Sequence, residues 1–404
     1  MSPTPESLEH KPAERLEIGV LYGFRALMVL FVANFHLWQQ SWLPQYFSLF
    51  GVTVDCDFFT RTGYLFVDGM LLLSGFLLYL PYARRAEEGT PVPSVRRFYL
   101  NRLIRVLPSY LLAVFVALFC FALPNGRYTS IAAMTKDLLA HLTFTQTFWI
   151  ETYYFTPLNG VLWTVAVEMH FYLLFPLLVY LADKKPVATL GLMAAAAWVY
   201  RAIVYYRIPN TAIYINQLPA FLDVYALGML GAIVYMKLRI WAQHAKRSER
   251  AWLSAAALAV FIGSIGVLLA LLRVQSTASL GGVEPLRLSQ LALRLPLALT
   301  LIVCMLSATQ MPQALRWLLD NRLMRFLSTI SFHFYIWHQI LAVEIATKWF
   351  PNTLHVDFGL QRAYTLLMYS VSILVAMLAT FGWEQPMAKL ANFGINKQRR
   401  KKLL

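Results

Sequence analysis

The sequence GVLYGFRALMVLFVANFHLW, residues Gly19 to Trp38, decides the fold class. It is long and apolar enough to cross a bilayer as a helix, yet it contains Arg25 and His36. A charged residue at the centre of a spanning helix costs roughly 2.5–3.5 kcal/mol on insertion scales, so such residues usually face a protein interior or a wet cavity. At about 100° and 1.5 Å per residue, the spacing of Arg25 and His36 places both on one helix face, about 16 Å apart.

Each of these two residues also has an ordinary interpretation. Arg25 could extend its side chain to the inner surface, and His36 could be a hydrogen-bonded histidine at the membrane interface. Their shared face, together with polar residues in other apolar stretches, favours a functional site.

The composition of the whole chain is typical of an integral membrane protein. Of its 404 residues, 59% are hydrophobic and 14% are charged, whereas soluble domains contain about 25% charged residues. The three cysteines, Cys56, Cys120 and Cys304, form no CxxC pair and no ligand-like cluster, so we predict no metal site. The N-terminal residues lack the pattern of a cleavable signal peptide, so we expect the first apolar stretch to remain as a helix.

Apolar stretches of about twenty residues recur along the chain, and we therefore expect an all-α integral membrane protein with about ten transmembrane helices. The stretches lie at 18–38, 62–83, 104–123, 158–181, 187–206, 219–237, 252–272, 289–309, 325–346 and 363–383. The expected organisation is a cytoplasmic N-terminal tail over 1–17, a membrane domain over 18–385, and a basic cytoplasmic tail over 386–404.

The distribution of Lys and Arg predicts the orientation of the chain. With the N-terminus in the cytoplasm, 25 of the 35 Lys and Arg residues lie on the inner side. The positive-inside rule favours this orientation, with both termini cytoplasmic. The net charge of +15 then reflects topology, and we expect the RRKK stretch at 399–402 to contact anionic lipid rather than nucleic acid.

Three arginines are expected at the inner side of the membrane domain. Arg102 and Arg105 are three residues apart, so they share one face of the third spanning helix. With Arg25 they form a cationic group, and the planar guanidinium suits phosphate oxygens. Positive-inside charge alone explains the other arginines of the preceding loop.

A second group of polar residues is expected in the outer half of the membrane. His36, Asp68, Glu168 and His338 form a histidine–carboxylate set that suits general base chemistry. Ser331, Tyr335 and His338 form a stripe at i, i+4 and i+7, which should face protein or water rather than lipid. Trp163 and Tyr172 fit an interfacial belt or a packed helix. An apolar column separates the two groups, so a ligand with a phosphate head and a long thin arm, such as coenzyme A, would fit.

Six elements, in this order, resemble the acyltransferase-3 family of bacterial integral membrane O-acyltransferases over about Leu21 to Lys389. They are Arg25 with His36; Val67-Asp68 with Ser74-Gly75-Phe76; Arg102 and Arg105 with Pro108 and Tyr110; WTVAVEMHFYLLFPLL at 163–178; ISFHFYIWH at 330–338; and WEQP at 383–386. Asn101 departs from the family pattern, because a further arginine is frequent at that position.

The resemblance implies transfer of an acetyl or other short acyl group from acyl-CoA, as a co-substrate, to a hydroxyl of a cell-surface glycan such as O-antigen, capsule or exopolysaccharide. It implies that His36 is catalytic and that Arg25, Arg102 and Arg105 bind the acyl-CoA donor. Asp68 and Glu168 would orient or charge-balance His36, with Ser331, Tyr335, His338, Trp163 and Tyr172 lining the pore. The expected location is the bacterial inner membrane, as a multi-pass protein among its lipids.

Several alternatives stay open at this point. The acceptor could be a lipid-linked sugar, a lipid precursor or a small molecule instead. About twenty residues follow the last helix, so we expect the acceptor to be reached directly or through a partner protein that replaces the extracytoplasmic domain of some family members. Direct transfer competes with an acyl-enzyme on Ser331, Tyr335 or Tyr172. A glycan or anion transporter is the alternative of another class, although the sequence shows no repeated halves.

Overall fold

The computed structural model describes residues 16–208 and 213–391, and these residues are almost entirely helical. The α-helices are α1 Val20–Trp38, α2 Asp57–Arg61, α3 Phe66–Glu88, α4 Val95–Val116, α5 Ile131–Leu142, α6 Ile150–Tyr153, α7 Trp163–Lys184, α8 Pro186–Arg207, α9 Leu222–His244, α10 Arg247–Leu280, α11 Val283–Ala292, α12 Arg294–Gln310, α13 Gln313–Arg316, α14 Arg322–Trp349 and α15 Phe358–Ala379. A π-helical turn, Ala117–Ala122, extends α4, and another, Thr380–Glu384, extends α15. Most of both predicted tails, including the RRKK stretch, lies outside the described residues.

The structure confirms the prediction of an all-α integral membrane protein. Within the described part of the chain, eight helices are long and apolar enough to cross a membrane, and a ninth span is formed if the pair α11–α12, bent by 48°, is counted as one. The bent pair corresponds to the stretch predicted at 289–309. The more polar α14 is also long, at 28 residues, and polar side chains along its middle, such as Ser331, Tyr335 and His338, are buried in the protein, which explains how they are accommodated.

Helices α3 and α9 pack with their backbones in close approach. A Cβ atom on Gly228 would lie 2.2 Å from the carbonyl oxygen of Leu72, and a Cβ atom on Gly75 would lie 2.9 Å from that of Tyr225. Small residues at such crossings are typical of membrane helices. The glycine of the Ser74-Gly75-Phe76 element therefore serves helix packing.

The segment between α4 and α7 folds back into the helical domain. The Tyr110 hydroxyl donates to the His141 carbonyl at 2.8 Å, and the Asn159 amide donates to the Ile336 carbonyl of α14 at 2.7 Å. Within the segment, the Tyr128 hydroxyl donates to the Asp137 carboxylate at 2.8 Å. Burial and this neighbouring carboxylate raise the pKa of the Tyr128 phenol. Because of these anchors, α7 begins beside the middle of α14.

An antiparallel β-hairpin follows α1. Its strands are β1 Tyr46–Leu49 and β2 Val52–Asp55, and its register pairs Phe47 with Val54 and Ser48 with Thr53. Phe50 and Gly51, between the strands, have φ angles of 50° and 81°. Positive φ at both central positions is the signature of a type I′ turn, whose twist matches that of a hairpin.

Candidate active site

His36 lies two residues before the end of α1 and is held by two glutamine amides. Its Nδ1 atom is 2.9 Å from Oε1 of Gln39, one turn further along the same helix. The same Nδ1 atom is 3.1 Å from Nε2 of Gln339 on α14. The side chain is partly buried, and no hydrogen bond within the described residues involves its Nε2 atom.

The two amides favour different tautomers of His36. An amide oxygen only accepts, so Gln39 pairs with a protonated Nδ1; an amide nitrogen only donates, so Gln339 pairs with an unprotonated Nδ1. When Nδ1 carries the proton, Nε2 has a free lone pair and can act as a base. When Nδ1 accepts from Gln339, the proton is on Nε2 and the neutral ring has no free lone pair.

His338 lies beside His36, with the ring centroids 5.2 Å apart. It is fully buried, and its Nδ1 atom donates to the Tyr335 carbonyl at 2.7 Å. Nδ1 therefore carries the proton, and Nε2 is an acceptor that has no partner among the described residues. The structure thus brings together two imidazoles that sequence analysis assigned to one group.

The three predicted arginines also lie together, around Glu168 and Tyr172. Arg25 interacts electrostatically with Arg105, Glu168 and Tyr172, and Arg102 is hydrogen-bonded to Tyr172. The Tyr172 hydroxyl donates to Glu168 at 3.2 Å. Three guanidinium groups face one carboxylate, so this arginine cluster keeps an excess of positive charge.

Arg102 has a buried donor that is available to an anion. Its Nε atom is buried and has no hydrogen-bond partner within the described residues, and a buried unpaired donor of this kind is costly unless a ligand satisfies it. A cavity of about 70 Å³ adjoins this side chain. Its other lining residues are Leu77, Leu78, Pro81, Tyr82, Pro93, Phe98 and Asn101.

The structure gives Glu168 a position different from the expected one. We predicted it in the outer half near His36, but it belongs to the arginine cluster. The reason is the folded-back segment between α4 and α7, which places Gly160, just before α7, against Gln339. A Cβ atom on Gly160 would be 3.2 Å from Oε1 of Gln339. The helix therefore starts at the depth of His36, and Glu168 lies about 12 Å further in.

Asp68 likewise has a partner other than His36. Its carboxylate accepts from Nε of Arg294 at 3.0 Å. Nearby, Arg201 and Asp223 form a fully buried bidentate pair at 2.9 and 2.7 Å, and both arginines donate to the Ala220 carbonyl. Asp68 is thus part of a charge network that joins α3, α8, α9 and α12, and we no longer expect it to orient His36.

Tyr335 lies between the two groups. Its hydroxyl is hydrogen-bonded to Thr164 and interacts electrostatically with Glu168, while its ring centroid is 5.6 Å from that of His338. A series of polar side chains therefore leads from the arginine cluster through Tyr335 and His338 toward His36.

Between the two groups, the space that α1 and α14 enclose is a small cavity. The Ser331 hydroxyl donates to the Ser328 carbonyl of its own helix at 2.8 Å. Ser331 also lines a cavity of about 10 Å³, together with Ala26, Val29, Leu30, Leu327, Ile330 and Phe334. A space of that size holds about one water molecule. A ligand arm could pass here only if α1 and α14 separated.

Other residues show what the sequence did and did not indicate. Trp163 packs against Tyr153 and Phe221, with centroids 6.2 and 6.0 Å apart, and so supports the fold of α7 and α9. The sequence analysis missed Gln39 and Gln339. The i, i+3 spacing from His36 could have indicated Gln39, whereas Gln339 required the packing of α1 against α14.

Comparisons with known proteins identify the family to which the chain is similar. A family model described as an acyltransferase domain matches residues 20–381. The chain is 26% identical over 166 residues to a Staphylococcus aureus (strain COL) protein named as an O-acetyltransferase, covering 39% of this chain and 24% of that protein. It is 28% identical over 190 residues to acyltransferase MdmB of Streptomyces mycarofaciens, covering 46% and 45%.

A further relative is nodulation protein 10 of Rhizobium leguminosarum bv. viciae, 26% identical over 203 residues, covering 47% of this chain and 51% of that protein. The matches thus span from about a quarter to about a half of the length of these relatives. No solved structure matches the chain significantly.

Proposed function

Because the chain belongs to the acyltransferase-3 family, we propose that it is a membrane O-acyltransferase. It moves an acetyl or other short acyl group from acyl-CoA on the cytoplasmic side to a hydroxyl group at the opposite face. The observation that carries this proposal is the series of polar side chains that connects the arginine cluster to His36.

The arginine cluster is the proposed binding site for the phosphates of acyl-CoA. Arg25, Arg102 and Arg105 supply more positive charge than Glu168 neutralises, and the unpaired Nε of Arg102 is a donor in need of an acceptor. Charge-assisted hydrogen bonds from guanidinium to phosphate are among the stronger polar interactions in proteins. Glu168 then limits the positive charge when no donor is bound.

His36 is the proposed general base. In the tautomer held by Gln39, its Nε2 accepts the proton of the acceptor hydroxyl while the hydroxyl oxygen attacks the thioester carbonyl carbon. The C–S bond then breaks, the new ester leaves, and the proton passes from the imidazolium to the thiolate to give free CoA. His338, with its own unpartnered Nε2, provides a second acceptor beside the reacting atoms.

Direct transfer suits this arrangement better than an acyl-enzyme. The hydroxyls of Ser331, Tyr335 and Tyr172 are all committed to hydrogen bonds with neighbouring groups. Binding of the donor requires α1 and α14 to move apart, since the present space between them is about 10 Å³. The arm of the donor would then pack against the apolar side chains that line this opening.

The proposed acceptor is a hydroxyl of a surface glycan, such as O-antigen, capsule, exopolysaccharide or a lipid-linked sugar. The position of His36 near one end of α1 supports access from outside the membrane. The name of the Staphylococcus relative specifies O-acetyl transfer, whereas the names of the other two leave the acceptor open. A partner protein could present the glycan, and we propose the bacterial inner membrane as the location.

The test is turnover of acetyl-CoA, labelled in the acetyl group, by the purified protein with a membrane glycan extract. We expect release of CoA and transfer of label to the glycan, and a loss of about 10²-fold or more in the His36→Ala variant. His170→Ala is the matched control, because that imidazole stacks on Phe148, with ring centroids 5.5 Å apart, and makes no contact with His36 among the described residues. Movement of a glycan or anion without any CoA release would instead identify a transporter, and equal activity of both variants would reject His36 as the base.

A further inference from the structure

The β-hairpin after α1 has two chemically different faces. Side chains alternate between the faces of a strand, and directly paired residues share a face. Phe47 and Val54 are such a pair, and the register places Val52 on the same face. The opposite face carries Ser48 and Thr53, whose hydroxyls are 3.0 Å apart.

The apolar face is uncovered in the described structure. The exposed fractions are 56% for Phe47, 63% for Val52 and 49% for Val54, and Phe50 at the turn is 97% exposed. A two-stranded hairpin is at best marginally stable on its own in water. These side chains therefore need a surface against which to pack.

The base of the hairpin is fixed at the ends of membrane-spanning helices. The Gln45 carbonyl accepts from the backbone N–H of Cys56 at 2.9 Å, and the Gln45 amide donates to Gln361, near the start of α15, at 3.0 Å. Arg61 of the adjoining α2 lies over Trp38, the last residue of α1, at 4.7 Å from the ring centroid. The hairpin thus starts where the spanning helices leave the bilayer.

We propose that this hairpin lies on the membrane surface on the side of His36, with its apolar face inserted among the lipids. The occupant of that face is the lipid bilayer. Like the spanning helices, whose exposed apolar residues include Leu173 and Ile262, the hairpin presents apolar side chains that the described protein leaves uncovered. Trp42, an aromatic residue of the type enriched at membrane interfaces, precedes the hairpin and is 54% exposed.

The chemistry of the apolar face favours lipid over a glycan. A glycan needs hydrogen-bonding side chains among the aromatic ones, and the Phe47, Val52 and Val54 face supplies none. The polar face, with Ser48, Thr53 and Asp55, remains in water. Insertion would hold the segment between α1 and α3 flat on the membrane surface, beside the end of α1 that carries His36.

The experiment measures the environment of single labels along the hairpin. The full-length protein, with Cys56→Ser, Cys120→Ser and Cys304→Ala as background, is reconstituted in liposomes. One cysteine is introduced at a time as Phe47→Cys, Val54→Cys, Ser48→Cys or Thr53→Cys, and each is labelled with a small fluorophore. Two quenchers are compared, a nitroxide on the lipid acyl chain and aqueous iodide, with Leu173→Cys as the lipid-facing control.

We expect quenching to alternate along the strands. Labels at 47 and 54 should be quenched by the lipid nitroxide, at a depth of about 5–10 Å below the headgroups, and protected from iodide. Labels at 48 and 53 should show the reverse. Iodide quenching at all four positions would overturn the proposal. Protection of the labels at 47 and 54 from both quenchers would also overturn it, because it would mean that protein covers this face. Because no step depends on acyl transfer, the outcome is independent of the proposed function.

Discussion

Replacing the two glutamines beside His36 should change activity in opposite directions. Gln39 stabilises the tautomer with a free Nε2, through a contact of 2.9 Å, and Gln339 stabilises the other tautomer, through a contact of 3.1 Å to the same nitrogen. A net hydrogen bond of this kind contributes about 0.5–1.5 kcal/mol. Since about 1.4 kcal/mol corresponds to a tenfold change in rate, Gln39→Ala should lower kcat about 2- to 13-fold.

Gln339→Ala removes the competing donor, so kcat should be unchanged or higher. The assay is the initial rate of CoA release from acetyl-CoA at saturating donor and acceptor, measured with a thiol reagent. Gln40→Ala is the matched control, because the Gln40 side chain donates to the His36 backbone carbonyl, at 3.1 Å, and to no ring nitrogen among the described residues. In a His36→Ala background, Gln39→Ala should cause no further loss, because both act through one imidazole.

Two results would refute this reasoning. One is a loss in Gln339→Ala as large as that in Gln39→Ala, which would mean that the amides only pack around the ring. The other is a full additional loss from Gln39→Ala when His36 is already absent, which would place Gln39 in direct contact with substrate.

Three further predictions follow from other parts of the structure. Arg102→Ala should raise KM for acetyl-CoA about 10- to 150-fold with a smaller change in kcat, because one charge-assisted hydrogen bond contributes about 1.5–3 kcal/mol. An unchanged KM in steady-state kinetics would remove Arg102 from the donor site. In thermal unfolding, Gly228→Ala should destabilise the protein by about 1–3 kcal/mol, whereas the control Gly263→Ala should be neutral because a Cβ atom there meets nothing within 4 Å. Equal effects of the two changes would contradict the close approach of α3 and α9. Asp223→Ala should lower the free energy of unfolding by about 3–5 kcal/mol, because Arg201 is left buried and unpaired. The double change Arg201→Met with Asp223→Leu should recover most of that stability, and no recovery would show that the ion pair itself stabilises the fold.

The sequence was sufficient to predict the grouping of the arginines. Arg102 and Arg105 share a helix face by their spacing, and Arg25 could be placed at the same depth because helical rise per residue is constant. The same arithmetic placed His36 and His338 together, since each lies near the same distance from the start of its helix. These predictions depend only on local geometry and on the length of a span.

The partners of the acidic residues were not predictable in this way. The depth of Glu168 depends on where α7 begins, and that is set by long-range hydrogen bonds such as the one from Asn159 to Ile336. Asp68 pairs with Arg294 at the bend between α11 and α12, and neither the bend nor its position beside α3 has a local sequence signal. A buried charge needs a partner, but the sequence does not identify which one.

The most direct test of the proposed mechanism is an experimental structure with a non-hydrolysable acetyl-CoA analogue, in which the thioester sulfur is replaced. We predict that its phosphates contact Arg25, Arg102 and Arg105, that its arm separates α1 from α14, and that its acyl carbonyl carbon lies beside His36 with room for an attacking hydroxyl at about 3–3.5 Å. Phosphates bound away from the arginine cluster, or an acyl group that does not reach His36, would contradict it.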